Sequence, residues 1–276
     1  MTQRLDAALA ARGLARSRTQ AAQLIEAGLV SVDGAPVVKP SVRVADEQEL
    51  AVAASDHYVS RAAHKLLAAL DAFGVDVAGR DCLDLGASTG GFTQVLRERG
   101  AARVIAVDVG HGQLDSLIAA DPAVTLVEGY NVRYMTRENL SEASDFADAP
   151  SVVTGDLSFI SLTHVLPAVA EVAAPHADIV LLVKPQFEVG RTGVREGLVT
   201  DAAARADAVA TVLWSAWDAG LGTHGVIASP IAGGHGNREY LVHLTPRVAS
   251  TPADGLEDSG NPTEYLETVN RLAGGT

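Results

Sequence analysis

Cysteine is almost absent from this chain of 276 residues, since Cys82 is the only one. A single cysteine excludes an internal disulfide and a cysteine-rich metal site, and it fits a reducing compartment. Long apolar runs are also missing: no segment approaches the ~20 apolar residues that span a bilayer, and MTQRLDAALAARG at the start does not read as a signal peptide. We therefore expect a cytoplasmic protein without a membrane partner.

Positive charge is scarce as well, with 21 Lys and Arg against 34 Asp and Glu and a net charge of -13. The scarcity is uneven, because residues 1–43 carry six basic and three acidic side chains, a net charge of +3 that leaves -16 for the remainder. This asymmetry predicts a basic module joined to an acidic body. Hydrophobic residues make up 47% of the chain, which is enough for a sizeable core and argues against wholesale disorder.

The N-terminal residues show the pattern of a small helical and β unit. Apolar side chains recur at helical spacing over 4–12 and 18–28, and Ser17 can cap the second helix. The segment LVSVDGAPVVKPSVRV then alternates apolar and polar residues around Asp33-Gly34, which predicts a hairpin.

This order of elements resembles an S4 RNA-binding domain over residues 3–50, within a predicted domain of residues 1–54. The matching blocks are RLDAAL, GLARSRTQAAQLIEAGLVSVDG and SVRV. The resemblance implies that structured RNA binds the face around the second helix, whereas the alternative is a helical cap with solvated arginines. The candidate RNA-binding residues are Arg4, Arg16, Arg18, Gln20 and Arg61.

AVAASDHYVS at 51–60 is predicted to be a linker segment, with residues 55–60 assigned as the linker between the two domains, and strands and helices alternate after it. SRAAHKLLAALDAFG reads as an amphipathic helix with Ser60 as its cap and with Arg61 and Lys65 one turn apart. Predicted strands are 82–85, 103–107, 124–127, 151–154, 178–183, 223–228 and 239–244, and predicted helices are 90–99, 112–120, 161–173 and 201–219. The alternation predicts a doubly wound α/β domain over residues 61–246. A partly mobile tail with a short helix at 262–273 is expected over residues 247–276.

A glycine-rich turn follows the first strand of this domain, in DLGASTGGFT. Such a turn marks a nucleotide-type ligand at the carboxyl ends of the strands. The dinucleotide pattern G-x-G-x-x-G is missing, and Asp84 precedes the turn. A carboxylate would repel a pyrophosphate, but it would attract the sulfonium and ammonium groups of S-adenosylmethionine. The turn resembles motif I of the class I methyltransferases.

The next strands also end in polar residues that face the same predicted pocket. VIAVDVG places Asp108 at a strand tip, where its carboxylate can accept both hydroxyls of a ribose. The alternative is that Asp84 and Asp108 only cap turns. The full set of candidate cofactor-binding residues is Asp84, Gly86, Ser88, Gly90, Gly91, Asp108, Asn131 and Asp156.

The target of methyl transfer must be read from other residues. Methyltransferases that act on base amino groups carry D/N-P-P-Y/F after the fourth strand, where this chain has Asp156-Leu157-Ser158-Phe159 and lacks both prolines. Ribose 2′-O-methyltransferases of the FtsJ/RrmJ type carry a Lys-Asp-Lys-Glu set instead. The residues of this chain that match the set are Lys65, Asp156, Lys184 and Glu239.

The four residue types suit a ribose hydroxyl, which is a poor nucleophile because it holds its proton strongly. A lysine can accept that proton or stabilise the developing alkoxide, and a carboxylate can position the lysine. Lys184 directly follows the apolar strand in ADIVLLVKPQFE. Taken singly, Lys65 would be a solvated helix residue and Glu239 a surface residue. The sequence leaves open which lysine takes the proton.

Residues 3–245 together resemble the TlyA family, also called hemolysin A-like. The matching blocks include YVSRAAHKL, LDLGASTGGFT, DLSFISL, LVKPQFE and GNREYL. The resemblance implies S-adenosylmethionine-dependent 2′-O-methylation of cytidine in ribosomal RNA, with ribosomal subunits as partners. Alternatives are an RNA base N-methyltransferase, a membrane-active hemolysin and a non-catalytic assembly factor. No metal cluster is evident, and His235 reads as a loop residue. The oligomeric state stays open.

Overall fold

The structure is a computed structural model that describes residues 2–26, 28–52, 57–190, 194, 197–247 and 260–274. The chain divides into two compact units, Met1–Arg61 with Gly234–Gly236, and Ala62–Gly233 with Asn237–Thr276. In the described ranges, no helix has the length and apolar character needed to cross a membrane.

The first unit consists of short elements around a small apolar core. They are β1 (Thr2–Arg4), α1 (Leu5–Ala11), α2 (Arg18–Glu26), β2 (Val30–Val32), β3 (Ala35–Pro36), β4 (Arg43–Ala45) and β5 (Leu50–Val52). Leu5, Leu9 and Ile25 are fully buried where the two helices meet. Asp33 and Gly34 both have positive φ angles, 50° and 78°, as a two-residue type I′ turn in the predicted hairpin between β2 and β3 requires.

The predicted linker begins too early, because β5 includes Ala51 and Val52. Val52 pairs with Val30, and Ala51 pairs with Ser31 of β2. Three residues are too short for a recognisable alternation, so the sequence did not reveal this strand. Residues 53–56 lie outside the described part, and the domain boundaries at 54, 60 and 246 stay predictions.

The second unit is built on one mixed sheet of seven strands in the order β11-β12-β10-β9-β6-β7-β8. Its elements are α3 (Ala63–Phe73), β6 (Asp81–Leu85), α4 (Gly91–Glu98), β7 (Arg103–Val107), α5 (Ser116–Ala119), β8 (Val124–Val127), α6 (Arg137–Ser144), β9 (Val152–Gly155), α7 (Leu166–Val172), β10 (Asp178–Val183), α8 (Pro185–Glu188), α9 (Ala202–Asp218), β11 (Leu221–Ala228), β12 (Tyr240–Pro246) and α10 (Leu266–Ala273). This arrangement confirms the predicted α/β class.

The direction of the strands brings distant residues to one edge of the sheet. Strands β6 to β10 pair in parallel where they are neighbours, so their carboxyl ends lie at the same edge. Strand β12 runs antiparallel to β10, with Tyr240 opposite Val183. The beginning of β12 therefore lies beside the end of β10. The buried run 178–183 thus has one parallel and one antiparallel neighbour, rather than two parallel ones.

Some predicted helices differ from the structure in their limits. Helix α3 begins at Ala63, with Ala62 and not Ser60 at its N-cap. The helix expected over 112–120 is reduced to α5, where Asp115 accepts a hydrogen bond from the Leu117 N–H and fixes a late start. The helix expected over 161–173 is divided into a 3₁₀ turn at Leu162–His164 and α7.

The predicted tail contains an ordered part. Helix α10 packs against α9, and Val269 and Ala273 are buried in the main core. Arg205 of α9 donates a hydrogen bond of 2.7 Å to the Ala273 carbonyl, which fastens the end of α10 to the unit. The expectation of mobility over 248–259 falls outside the described residues.

Candidate active site

Four charged side chains meet at the carboxyl edge of the sheet. Lys65 Nζ lies 2.7 Å from Glu239 Oε2 and 3.4 Å from Asp156 Oδ2. Lys184 Nζ lies 2.6 Å from Asp156 Oδ1. The structure therefore brings together all four residues that the sequence singled out, in a continuous chain of ion pairs in which Asp156 contacts both lysines.

These charges are largely removed from water, with exposures of 5% for Lys65, 8% for Lys184 and 3% for Glu239. Isolated buried charges would be costly, but two cations and two anions compensate one another. Burial on its own would raise the pKa of Asp156, yet the ammonium groups of Lys65 and Lys184 outweigh it and hold the pKa below its usual range. Asp156 therefore stays ionised.

Different elements hold each member of this network. Lys65 lies on α3, which packs against β11 and β12. Lys184 ends β10, and Pro185 begins α8 directly after it. Glu239 immediately precedes β12, so it is not on the strand as predicted. A Cβ at Gly233 would overlap the Glu239 carboxyl group, and only glycine leaves that carboxyl in place.

Glu188, the last residue of α8, contacts the segment that follows β9. Its carboxylate accepts a hydrogen bond of 2.5 Å from Ser161 Oγ and one of 2.9 Å from the Leu162 N–H. Burial raises the pKa of Glu188, and these two donors act against that rise. The segment that begins with Asp156 is thereby fastened to the helix that follows Lys184.

A cavity of about 500 Å³ adjoins this network. It is lined by Gly86, Ser88, Val107, Asp108, Val109, Gln113, Tyr130, Asn131, Val132, Asp156, Leu157, Ser158, Phe159 and Ile160. Two of these lining residues are acidic and none is basic. Its size is in the range of small-molecule sites, and its charge favours a cationic ligand over a phosphate.

The glycine-rich turn forms one wall of the cavity. Gly86 has a φ of +80°, and a Cβ there would lie 3.1 Å from Leu157 Cδ2 and 3.2 Å from the Asp156 carbonyl oxygen. Gly90 has a φ of +97°, and Gly91 begins α4 behind it. Of these three predicted cofactor residues, only Gly86 lines the cavity, whereas the other two shape the turn.

Asp108 and Asn131 lie on the cavity wall as the sequence predicted. Asp108 Oδ2 accepts a hydrogen bond of 2.8 Å from the Ser88 N–H, and its Oδ1 accepts one of 2.7 Å from the Gly110 N–H. These two donors fix the carboxylate orientation and leave a lone pair on each oxygen for a ligand. Asn131 Oδ1 accepts a hydrogen bond from the Arg133 N–H and so also caps a short turn.

The structure does not place Asp84 on the cavity wall. It is fully buried, with hydrogen bonds of 2.7 Å from Thr93 Oγ1 and 3.1 Å from Thr154 Oγ1. Burial raises the pKa of Asp84 to about 7, although both hydroxyl donors counteract the rise. The predicted contact of Asp84 with the cofactor stays a prediction, and the contacts that the structure shows for its carboxylate are those with the two threonine hydroxyls.

Phe159 is an exposed aromatic residue on the cavity wall. Its side chain is 92% exposed, and its φ of +64° lies in a region that costs a bulky residue energy. The ring centroid lies 5.3 Å from that of Phe187, which follows Lys184 by three residues. The sequence drew attention to Phe159 only as part of the base-methyltransferase comparison, and it gave no sign of the exposure.

The candidate RNA-binding residues lie in the first unit. Asp6 binds two of them, with Arg4 Nε at 3.0 Å and Arg18 Nη2 at 3.1 Å, and the Arg4 guanidinium is the main reason that the pKa of Asp6 falls to about 2. Gln20 Oε1 accepts a hydrogen bond of 2.7 Å from the Arg16 N–H. The Arg61 guanidinium packs on the backbone of Gly28.

Comparison with known proteins agrees with this geometry. The FtsJ-like methyltransferase family matches residues 58–245, and the S4 domain family matches residues 3–50. The chain belongs to the FtsJ-like methyltransferase family. This membership confirms the predicted methyltransferase, with an S4 domain at its N-terminus.

Similar proteins cover nearly the whole chain. A relative from Mycobacterium tuberculosis, named 16S/23S rRNA (cytidine-2'-O)-methyltransferase TlyA, is 50% identical over 93% of this chain and 95% of its own length. Hemolysin A from Brachyspira hyodysenteriae is 36% identical over 87% of this chain and 99% of its own. A solved structure from Streptococcus thermophilus that carries a hemolysin name has a TM-score of 0.74 at 36% identity and covers 99% of this chain and 96% of that one. The predicted resemblance to the TlyA family is confirmed.

Four features of the site were not found from the sequence. Gln113 lines the cavity from the loop before α5, Ser158 contacts Lys184, Glu188 of α8 contacts the segment that follows β9, and Gly233 gives space to Glu239. Each acts through a contact with a residue that is distant in the chain. Among the residues that the structure describes, no group of three or more His, Cys, Asp or Glu side chains could hold a metal ion. The side chain of His235 lies outside the described part of the chain.

Proposed function

We propose that this protein methylates the 2′-hydroxyl of cytidine in ribosomal RNA and uses S-adenosylmethionine as the methyl donor. The observation that carries the proposal is the Lys65–Glu239 and Asp156–Lys184 network beside the cavity. The methyltransferase family implies the cofactor, and the TlyA relative is named for the cytidine reaction. The S4 domain supports ribosomal RNA as the substrate.

The residues around the cavity fit S-adenosylmethionine. Asp108 offers two carboxylate oxygens of fixed orientation to the ribose hydroxyls, and Asn131 lies next to it on the wall. Asp156 supplies a negative charge where the cavity meets the lysines. When bound, the cofactor supplies an electrophilic methyl group on a positively charged sulfur.

The lysines of the network act on the attacking oxygen. Lys184 Nζ contacts Asp156 and Ser158, both on the cavity wall, so a ribose hydroxyl that enters there can approach this nitrogen. As a neutral amine the nitrogen can accept the hydroxyl proton, and as an ammonium it can stabilise the alkoxide that develops. Lys65 neutralises the second oxygen of Asp156 and is itself held by Glu239. The main contribution of this chain is to hold the hydroxyl in line with the donor.

Phe159 supports a splayed nucleotide as the substrate. A ring that is 92% exposed on the wall of the cavity offers a surface on which a base can stack. Stacking is tolerant of base identity, so the preference for cytidine rests on the named relative. The arginines around Asp6 would contact RNA phosphates through the S4 domain.

Methylation of a base amino group is the second candidate, and the contacts of Asp156 disfavour it. In that reaction the acid of the D/N-P-P-Y/F segment accepts a hydrogen bond from the amino group. Here Oδ1 of Asp156 contacts Lys184 and Oδ2 contacts Lys65, so both oxygens are engaged by ammonium groups.

The test is methyl transfer to ribosomal subunits from cells that lack this protein. The purified full chain is incubated with each subunit and with labelled S-adenosylmethionine, and the RNA is digested to nucleosides for mass spectrometry. We expect 2′-O-methylcytidine. Base-methylated cytidine with an unmodified ribose would overturn the proposal.

The variant Lys184→Ala tests the role of Lys184 in methyl transfer. Because it removes a nitrogen that contacts two residues of the cavity wall, we expect a loss of transfer of about 100-fold or more with S-adenosylmethionine binding retained. Lys184→Met keeps most of the apolar stem and controls for packing. Transfer at the normal rate by either variant contradicts the mechanism.

A further inference from the structure

Ser158 is the only uncharged side chain that the described residues bring into hydrogen-bond contact with Lys184 Nζ. The distance from Nζ to Ser158 Oγ is 2.8 Å. Ser158 is exposed and lines the cavity, two residues after Asp156 in a segment that is neither helix nor strand. The Lys-Asp-Lys-Glu set does not include this serine, so its contact with the reacting lysine has no assigned role.

The geometry at Lys184 Nζ gives the serine a specific consequence. The nitrogen is tetrahedral, and one of its four directions is the bond to Cε. A second direction is that of the hydrogen bond to Ser158 Oγ at 2.8 Å. Asp156 Oδ1 lies 2.6 Å from the nitrogen as an ion pair but accepts no hydrogen bond from it, so it compensates the charge without fixing the direction of an N–H bond.

A directed hydrogen bond defines an orientation that an ion pair alone does not. With Asp156 alone, the terminal group could rotate about its last side-chain bond. Because Ser158 Oγ accepts a hydrogen bond from Lys184 Nζ, that rotation would break a hydrogen bond to a charged group. The serine hydroxyl therefore restricts the orientation of the nitrogen.

We propose that Ser158 is a positioning residue that orients Lys184 Nζ for contact with the ribose 2′-oxygen. The proposal rests on the proposed function, since it assumes that this oxygen enters beside Lys184. Ser158 and Asp156 both line the cavity, so the hydrogen bond and the ion pair hold Lys184 Nζ beside the cavity wall.

Ser158→Ala tests the contact without reference to the reaction. The chain has three lysines, Lys39, Lys65 and Lys184, so an amine-labelling reagent gives peptides that mass spectrometry separates. Exposed Lys39 is the internal standard. Loss of one acceptor should make Lys184 react about fivefold faster relative to Lys39. An unchanged ratio would overturn the proposed contact.

Single-turnover methyl transfer tests the consequence. At saturating cofactor and ribosomal RNA, Ser158→Ala should slow methyl transfer about 10- to 100-fold, the range for a lost hydrogen bond to a charged group. The dissociation constants of the cofactor and of the ribosomal RNA should stay near those of the wild type. Ser158→Thr keeps a hydroxyl and should restore most of the rate. A variant that loses only substrate affinity contradicts a positioning role.

Ser161→Ala is the control in the same loop. It removes a hydroxyl that contacts Glu188 and not Lys184. An equal loss of rate in Ser161→Ala would mean that the loop, rather than the orientation of Lys184, is affected. If wild-type protein makes no 2′-O-methylcytidine, the proposed function fails, and the labelling ratio still decides whether Ser158 fixes the lysine.

Discussion

The substitution Gly233→Ala should disconnect Glu239 from the network without a change of any charged residue. A Cβ at position 233 would overlap the Cδ and Oε1 atoms of Glu239 and lie 3.0 Å from its Oε2. The carboxylate must therefore move away from Lys65 Nζ, which it now contacts at 2.7 Å. Gly233 lies outside the left-handed region, so alanine adds no backbone strain of its own.

The magnitude follows from the lost contact. A hydrogen bond between charged groups contributes about 1.5–3 kcal/mol, which corresponds to about 10- to 150-fold in rate if the contact is lost in the transition state. Lys65 would retain only its 3.4 Å contact with Asp156, so the free energy of unfolding should also fall by about 1–3 kcal/mol. The rate is measured in single-turnover methyl transfer. The free energy of unfolding of the second unit is measured in a denaturant titration.

The adjacent glycine provides a matched control. A Cβ at Gly234 meets no heavy atom within 4 Å, and its φ is likewise outside the left-handed region. Gly234→Ala should therefore keep the wild-type rate and stability. Full activity of Gly233→Ala, or equal losses in both variants, would refute the view that space for the Glu239 carboxylate is what glycine supplies at position 233.

Three further predictions concern the S4 domain and the buried acids. Removal of residues 1–50 should weaken binding to ribosomal RNA at matched salt and leave S-adenosylmethionine affinity near normal, and equal RNA affinity would contradict the S4 role. Asp6→Asn should lower the free energy of unfolding by about 1 kcal/mol at pH 7, because Arg4 and Arg18 lose a carboxylate but are themselves half-exposed. The difference should vanish near pH 2, since the stabilisation by a lowered carboxyl pKa is present above pH 4 and is lost as the pH falls through about 2. For Asp84 the pH dependence has the opposite sign, because its raised pKa of about 7 favours the protonated carboxyl in the folded state. The free energy of unfolding should therefore decline as the pH rises from 4 through 7. Thermal unfolding of Asp84→Asn should lack this decline.

The charge balance of the site affects the interpretation of activity losses in single variants. The formal charges of the network cancel, since it consists of two lysines and two acids, Lys65, Lys184, Asp156 and Glu239. Removal of any one side chain leaves an uncompensated charge at a site that is largely buried. Loss of activity in a single variant therefore includes a contribution from rearrangement of the others. Double variants such as Lys65→Met with Glu239→Gln, compared with the single ones, separate these contributions.

Residues that follow parallel strands were the most predictable part of the site. Parallel strands end at one edge of a sheet, so an acid or lysine directly after a buried apolar run is placed there by the local pattern alone. Asp108 directly follows β7, Asp156 directly follows β9, and Lys184 directly follows β10. These positions depend on elements of a few residues, and the sequence showed each of them.

Contacts that cross the chain were less predictable. Asp84 has the alternation of a strand residue, but its burial against Thr93 and Thr154 depends on how α4 and β9 pack beside β6. Ser158 and Gly233 have no local signal, because their roles come from the side chains that they contact. The short strand β5 and the late start of α3 were missed for a related reason, since neighbouring elements rather than local propensity set their limits.

The sequence by itself determined the seven strands of the second unit, the glycine turn, the acid after β7 and the lysine after β10, because each depends on a few consecutive residues. Only the tertiary structure decided that Lys65 and Glu239, 174 positions apart, form a buried pair. That pair exists because β12 runs antiparallel beside β10 and returns the chain to the carboxyl edge. No local pattern could encode it, since the pairing depends on which strand lies next to which.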